Sequence, residues 1–205
     1  MSVTTYVPFG LSDPGKRTIR NPIFQDEVEF LEYANETGGK YCKARVTLRS
    51  GGGNPLHYHT AYVETFECEK GVLGVEHNGE TKHLEAGEKV DVQIGNLHRF
   101  FNPSETETVI FLCSVTPADD GWEKLLHIVY GFARDGLVDK EGVPANLYHL
   151  LYLMKLGDTN LPGIGMWFLA QAAVLVHWHA RWSGEEDRLL RKYYGTPATE
   201  DDKKK

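Results

Sequence analysis

Strict alternation of apolar and polar side chains in residues 41–48 is the feature that most constrains the fold of this chain. The apolar positions of this segment, YCKARVTL, are Cys42, Ala44, Val46 and Leu48. Because successive side chains of a strand point to opposite faces, one face of this strand is predicted to be buried. Asn78-Gly79, between two further strand-like runs, predicts a tight β-hairpin. Short strands and turns continue from about residue 22 to residue 117, which is typical of a sandwich or barrel.

After Pro117 the apolar residues recur every three or four positions, which is the spacing of a helix. Asp119 or Asp120 can cap a first helix, and Pro144 and Pro162 precede a second and a third. Ser183 with Glu186 has the spacing of a capping box and predicts the start of a fourth helix, which runs to Tyr194. The sequence therefore predicts a β-barrel with an N-terminal arm over residues 1–117, a helical region over 118–195 and a flexible tail over 196–205.

The third predicted helix is apolar over most of its circumference. It has no Asp, Glu, Lys or Arg from Thr159 to Ala180, an interval long enough to cross a bilayer. Pro162 and Gly163 at its start, together with Gln171, favour cover by protein over cover by lipid. We therefore expect Trp167 and Leu175 to be buried, with membrane contact as the alternative.

Composition and charge limit the kinds of binding partner and the cellular compartment that can be expected for this chain. A formal net charge of -7 argues against a nucleic-acid partner, which would require a basic surface. The three cysteines are far apart and lie in strand-like runs, which predicts buried, reduced thiols. The first residues show no secretory signal pattern. A cytoplasmic location is the resulting expectation.

Three metal-binding side chains lie close together in the strand-rich half. His57 and His59 are two residues apart and share one face of an extended strand, and Glu64 begins the next alternating segment. His98, which follows the Gly95-Asn96 turn, is the candidate for a fourth ligand. Three imidazoles and one carboxylate suit one divalent first-row ion: Fe, Mn, Zn or Ni.

These residues stand in two motifs that resemble those of the cupin family. The first consists of Gly51, His57, His59, Glu64 and Gly71. The second consists of Gly87, Gln93, Gly95, His98 and Asn102, with Gln93 where the family usually has proline. The resemblance covers roughly residues 22–117 and implies a mainly β fold, an antiparallel jelly-roll barrel with a metal near one mouth, here followed by helices. It also implies a homodimer, since dimers are common in the family.

The resemblance implies a metal-dependent dioxygenase, isomerase or lyase that acts on a small organic molecule. Glu64 is in addition a candidate general base. The aromatic neighbours Tyr62, Phe66 and Phe100, with Gln93 at the rim, are candidate pocket residues.

Two other classes of function remain open. The chain can be a cupin that binds or senses a small ligand without turnover, or one whose helices attach it to a membrane or a partner. His177 and His179 repeat the HxH letters on a predicted helix, where side chains two apart point in nearly opposite directions. They are therefore interpreted as helix-end residues and not as ligands.

Overall fold

The computed structural model describes residues 4–199. The strands are β1 Tyr6–Pro8, β2 Thr18–Asn21, β3 Asp26–Glu32, β4 Cys42–Leu48, β5 Val63–Lys70, β6 Leu73–His77, β7 Glu80–Leu84, β8 Lys89–Val92, β9 His98–Phe101, β10 Val109–Thr116 and β11 Gly195–Pro197. The helices are α1 Phe9–Ser12, α2 Asp120–Arg134, α3 Leu147–Leu156, α4 Ile164–Ser183 and α5 Glu185–Tyr193.

The strand-rich half forms two antiparallel sheets around one core. One sheet has the order β2-β3-β4-β10-β5-β8 and the other β7-β6-β9. The alternation in β4 is confirmed, because Cys42, Ala44, Val46 and Leu48 are all buried. Apolar side chains from both sheets, such as Phe111 and Val75, belong to the same core cluster. The predicted antiparallel barrel followed by C-terminal helices is therefore confirmed.

The turn between β6 and β7 is the predicted hairpin. Asn78 and Gly79 both have positive φ, 51° and 84°, and their flanking residues pair from His77 and Glu80 onward. Positive φ at both central residues is what the favoured two-residue turn requires, and Asn-Gly adopts it at low cost.

Helix α2 joins the barrel to the other helices. Asp119 caps it by accepting from the backbone N–H groups of Gly121 and Trp122. Trp122 packs in the barrel core, whereas Ile128 and Phe132 pack in a second core with α3 and α5. The helix thus has apolar side chains directed to two cores and is covered by protein on both sides.

A buried carboxyl group reinforces this junction. Glu123 is fully buried and accepts from the Ala34 backbone N–H at 2.6 Å and from the Tyr194 hydroxyl at 2.8 Å. Burial raises its pKa to about 7, although both hydrogen bonds favour the charged form. One side chain therefore links the barrel, α2 and the end of α5.

The first and last strands of the described chain, β1 and β11, pair beside the helices. Strand β11 pairs with β1, so Thr196 and Pro197 belong to a strand and not to the tail predicted over 196–205. Residues 200–205 of that tail lie outside the described residues. Tyr6 of β1 packs in the second core, with Ile128 and Phe132 of α2, which places the N-terminal arm against the helices.

The predicted capping box is wrong. Ser183 is the last residue of α4, and Gly184, with a φ of 83°, separates α4 from α5 without a side-chain cap. The Ser183 hydroxyl instead donates to the Ala180 carbonyl at 3.4 Å. Helix α4 continues through the position where the box would begin, and Ala180, about one turn earlier, packs in the second core.

The expected burial of Trp167 and Leu175 is also wrong. Their side chains are 57% and 73% exposed, respectively. Only the opposite face of α4 is covered, through Ala173 and Ala180. None of the helices among residues 4–199 combines the length and apolar character needed to cross a bilayer.

Candidate metal centre

Backbone pairing brings residues 57–59, which we call the HYH segment, against the start of β9. His57 and His98 exchange backbone hydrogen bonds of 2.9 and 2.8 Å. Strand alternation then turns His57 and His59 inward, where both are buried, while Tyr58 faces away. Glu64 reaches the same interior from β5, whose residues pair with β10 and β8.

The four side chains identified in the sequence converge in the barrel. One ligand atom from each of His57, His59, Glu64 and His98 lies within 4.8 Å of all the others. All four residues are at least 93% buried, since the most exposed of them, His57, is 7% exposed. Glu64 Oε2 lies 2.9 Å from His98 Nε2 and 3.5 Å from His59 Nε2.

Hydrogen bonds on the outer nitrogens fix the tautomers of the three imidazoles. Nδ1 of His57 donates to the Pro55 carbonyl at 2.8 Å, and Nδ1 of His98 donates to the Asn96 carbonyl at 2.9 Å. Nδ1 of His59 is shared between the Asp158 carbonyl at 2.9 Å and the Tyr62 hydroxyl at 2.8 Å. Each ring therefore directs Nε2 inward, toward the other ligands, which is how metal-binding histidines are held.

The donor set fits a divalent ion. His59 Nε2 is buried and has no hydrogen-bond partner among the described residues. An orphaned buried imidazole nitrogen is costly unless something binds it, and a cation shared with two further imidazoles and a carboxylate would do so.

The electrostatic environment favours an ionised Glu64 carboxylate beside a neutral His57. Burial acts to raise the pKa of Glu64, but the nearby imidazoles of His59 and His98 outweigh it and hold the pKa well below its ordinary value. Burial and the neighbouring His98 lower the pKa of His57 to about 4. A neutral His57 and an anionic Glu64 are the protonation states that metal binding requires.

One contact to Glu64 was not identified from the sequence. The Cys113 thiol on β10 donates to Glu64 Oε1 at 3.2 Å, which leaves Oε2 for the imidazoles. The prediction that Cys42, Cys68 and Cys113 are buried and unpaired is confirmed. The role of Cys113 as a partner of Glu64 has no signal in the sequence, because the two residues are 49 positions apart.

The connection between α3 and α4 supports the HYH segment from outside the barrel. The Asp158 carboxylate accepts from the backbone N–H groups of Thr60 and Ala61 and from the Thr60 hydroxyl. Asn160 and Tyr58 exchange backbone hydrogen bonds of 2.9 and 3.0 Å. The helical region therefore holds in place the loop that carries two of the four ligands.

An apolar cavity of about 300 Å³ opens next to the four side chains. Besides His57, His59 and Glu64, its lining from the barrel half comprises Phe24, Asp26, Val28, Val46, Gly53, Asn54, Pro55, Phe100 and Cys113. Its lining from the helical half comprises Trp122, Leu125, Leu126, Val129, Tyr130, Val143, Pro144, Leu150, Leu153, Met154, Thr159 and Leu161. This volume is at the low end of the range for small-molecule sites.

A buried carboxyl group also lines this cavity. Asp26 on β3 accepts a hydrogen bond from the Tyr130 hydroxyl of α2 through Oδ2, while its Oδ1 has no partner within residues 4–199. Burial raises the pKa of Asp26 to about 6, against the lowering effects of Tyr130 and of its own backbone. The sequence contains no signal for this pair, because its members are 104 positions apart.

The four candidate pocket residues occupy different positions. Phe100 lines the cavity, and Phe66 packs behind it with ring centroids 5.7 Å apart. Tyr62 is buried behind His59 and donates to the Gly157 carbonyl at 2.9 Å. Gln93 is exposed.

The two histidines of α4 lie away from this centre. His177 stacks on Tyr152 at 5.6 Å, and His179 contacts the Tyr148 hydroxyl at 2.9 Å. They are helix residues that point to different partners, as predicted.

Comparison with known proteins adds one family match and several relatives. Residues 44–115 match the family model Cupin_2, described as a cupin domain. "Epoxidase atD" of Aspergillus terreus is 31% identical over 118 residues, which cover 54% of this chain and 36% of that protein. "Probable oxidoreductase virH" of Hypocrea virens is 28% identical over 122 residues, which cover 54% of this chain and 56% of that protein. The matches thus span roughly a third to a little over half of these curated relatives.

A solved structure from Thermotoga maritima, described as a predicted oxalate decarboxylase, is also similar. It is 24% identical, with 45% of this chain and 80% of that chain covered, at a TM-score of 0.43.

Proposed function

We infer that this chain belongs to the cupin superfamily, and we propose that it is a metal-dependent enzyme that acts on a small, largely apolar organic molecule. The observation that carries the proposal is the convergence of four buried metal-binding side chains, three of which (His57, His59 and Glu64) line an apolar cavity. Buried polar clusters that open into such cavities are the usual location of small-molecule chemistry.

His57, His59, Glu64 and His98 would hold the ion, and Fe, Mn, Zn and Ni all suit this donor set. A bound ion of this kind polarises a substrate oxygen and, if redox-active, supplies one-electron chemistry. The surrounding residues serve to orient the ligands: backbone carbonyls hold the imidazoles, and Cys113 holds one oxygen of Glu64. Glu64 is also the candidate proton acceptor beside the substrate, once it is released from the ion.

The cavity lining indicates the class of substrate. Its apolar side chains exclude water and suit a hydrocarbon or aromatic body, with Phe100 from the barrel and Trp122 from α2 among the walls. The Asp26–Tyr130 pair offers a polar contact elsewhere in the same cavity, suited to a hydroxyl or amine hydrogen.

Oxidation is the reaction type that we favour. Two curated relatives bear the names of an epoxidase and an oxidoreductase, and both matches cover 54% of this chain. These names favour an oxygenase over the isomerase and lyase reactions that the same donor set would support.

The proposed setting is a cytoplasmic homodimer. Three buried, unpaired cysteines suit a reducing compartment.

Metal analysis of the purified full chain tests the ligand set. We expect about one divalent ion per chain, lost when His59→Ala and His98→Ala are combined, since each removes a buried donor. His179→Ala removes a histidine of α4 outside the centre and should retain the ion. A double variant that kept full metal content, with unchanged circular dichroism, would refute the assignment.

The alternative is a binding or sensing protein without turnover. The same cavity would then take up a ligand and release it unchanged. Oxygen uptake by the iron- or manganese-loaded protein, screened with hydroxylated aromatic compounds and followed by mass spectrometry, separates the two functions. Saturable binding with no new product for any bound compound would favour the sensor.

A further inference from the structure

Helix α4 presents a continuous apolar face to the outside. Six large side chains form this face, which we call the α4 stripe: Ile164, Trp167, Phe168, Leu175, Trp178 and Trp182. Their exposed fractions range from 57% to 84%. Since their spacing follows the helical repeat, they lie on one side of the helix over about 27 Å.

The α4 stripe is too large for an ordinary monomer surface. Three tryptophans and three other large side chains at these exposures offer on the order of 900 Å² of mostly apolar area. A stable protein interface buries roughly 800 Å² from each partner, whereas isolated exposed apolar residues are normal. The area of the stripe is therefore that of a whole interface.

We propose that α4 is the two-fold interface of a homodimer, in which the α4 stripes of two copies pack antiparallel. This inference deepens the homodimer proposed above and does not depend on the metal chemistry. In a two-fold contact, residue i of one copy meets residue j of the other, and j meets i. With the axis near position 173, Ile164 faces Trp182 of the second copy, and Phe168 faces its Trp178.

The composition of α4 suits burial against protein. No Asp, Glu, Lys or Arg occurs from Thr159 to Ala180, so covering the stripe removes no charged side chain from water. Gln171, near the axis, is exposed and uncharged, and its amide can bond to the same group of the second copy. Arg181 and Glu186 lie 3.8 Å apart at one end, where the polar rim of the interface would be.

A lipid surface fits the same helix less well. Helices that lie on membranes carry many Lys or Arg residues on their polar face. In α4 the basic residue is Arg181, the face opposite the stripe packs on protein, and the chain has a net charge of -7.

The dimer would also brace the cavity. Leu150 and Met154 of α3 line the cavity and belong, with Ala173 of α4, to one apolar cluster. Two paired α4 helices would therefore support this wall from behind.

Sedimentation velocity of the full chain at micromolar concentrations tests the proposal. We expect a dimer for the wild type and a dissociation constant raised at least about tenfold by Leu175→Glu, because two carboxylates would be buried near the axis. Leu137→Glu introduces the same change at a leucine that is 44% exposed and outside α4, and should leave the dimer intact. Far-ultraviolet circular dichroism and metal content confirm that both variants fold.

Cross-linking gives the orientation. A short bismaleimide should link Gln171→Cys to itself, but not Ile164→Cys, whose copies lie at opposite ends of an antiparallel pair. The native cysteines are buried, so the wild type is the background control. Efficient linking of Ile164→Cys would overturn the antiparallel arrangement.

Each result of these experiments would refute a different part of the proposal. A dimer that survives Leu175→Glu would overturn the α4 interface and leave the homodimer standing. A monomeric wild type would overturn both, and flotation of that monomer with phosphatidylcholine vesicles would assign the α4 stripe to lipid.

Discussion

Replacing Asp26 by asparagine should stabilise the protein by an amount that grows with pH. Asp26 is 8% exposed, and burial raises its pKa from 3.8 to about 6. Between these two values the folded chain binds a proton that the unfolded chain has released, so the free energy of unfolding falls as pH rises. A shift of this size corresponds to about 3 kcal/mol, complete above pH 6 and absent below pH 4.

Urea unfolding of the metal-free protein at a series of pH values measures this effect. The difference between Asp26→Asn and the wild type should be small near pH 4 and increase by about 3 kcal/mol by pH 7. Glu123, whose pKa is raised to about 7, changes the wild-type curve in the same direction, but it is common to both proteins and cancels in the difference.

Two further variants identify the cause. Tyr130→Phe removes the hydroxyl that donates to Asp26, so the pKa of Asp26 should rise further and the loss of stability should extend to higher pH. Asp91→Asn replaces an exposed carboxylate as a control. A pH-independent difference for Asp26→Asn, or an equal pH-dependent difference for Asp91→Asn, would refute the reasoning.

Two other predictions concern the metal centre and the thiols. Tyr62→Phe removes the hydroxyl that contacts His59 and Gly157, and should weaken metal binding by about tenfold in chelator competition; Tyr58→Phe, on the opposite face of the strand, should not. Burial raises the pKa of Cys42, Cys68 and Cys113, so a thiol reagent should label all three rapidly only in denaturant. Rapid labelling of two or more in native buffer would contradict the second prediction.

Local patterns in the sequence sufficed for much of the barrel. Strand alternation identified the buried positions of β4, and Asn78-Gly79 identified a hairpin, because both depend on neighbours within a few residues. The same alternation placed His57 and His59 on one face. The motif spacing then added Glu64 and His98 to the same cluster. The N-cap of α2 at Asp119 was likewise readable, since capping is local.

Local sequence patterns gave wrong predictions where tertiary packing determines the structure. Ser183 and Glu186 have the spacing of a capping box, yet α4 runs through Ser183, because tertiary contacts outweigh a cap worth about 1 kcal/mol. The apolar circumference of α4 implied cover on several sides, but the described chain covers one side only.

The sequence by itself therefore determined the division into a strand-rich and a helical half, and which four side chains gather in the barrel. Only the tertiary structure decided what surrounds those side chains: Cys113 on Glu64, the Asp158 loop behind the HYH segment, and Asp26 with Tyr130 in a cavity closed by helices. Periodicity and spacing act over a few residues and can be read from the chain. These contacts join positions 49 to 104 residues apart, and no local rule specifies which distant segment packs against which.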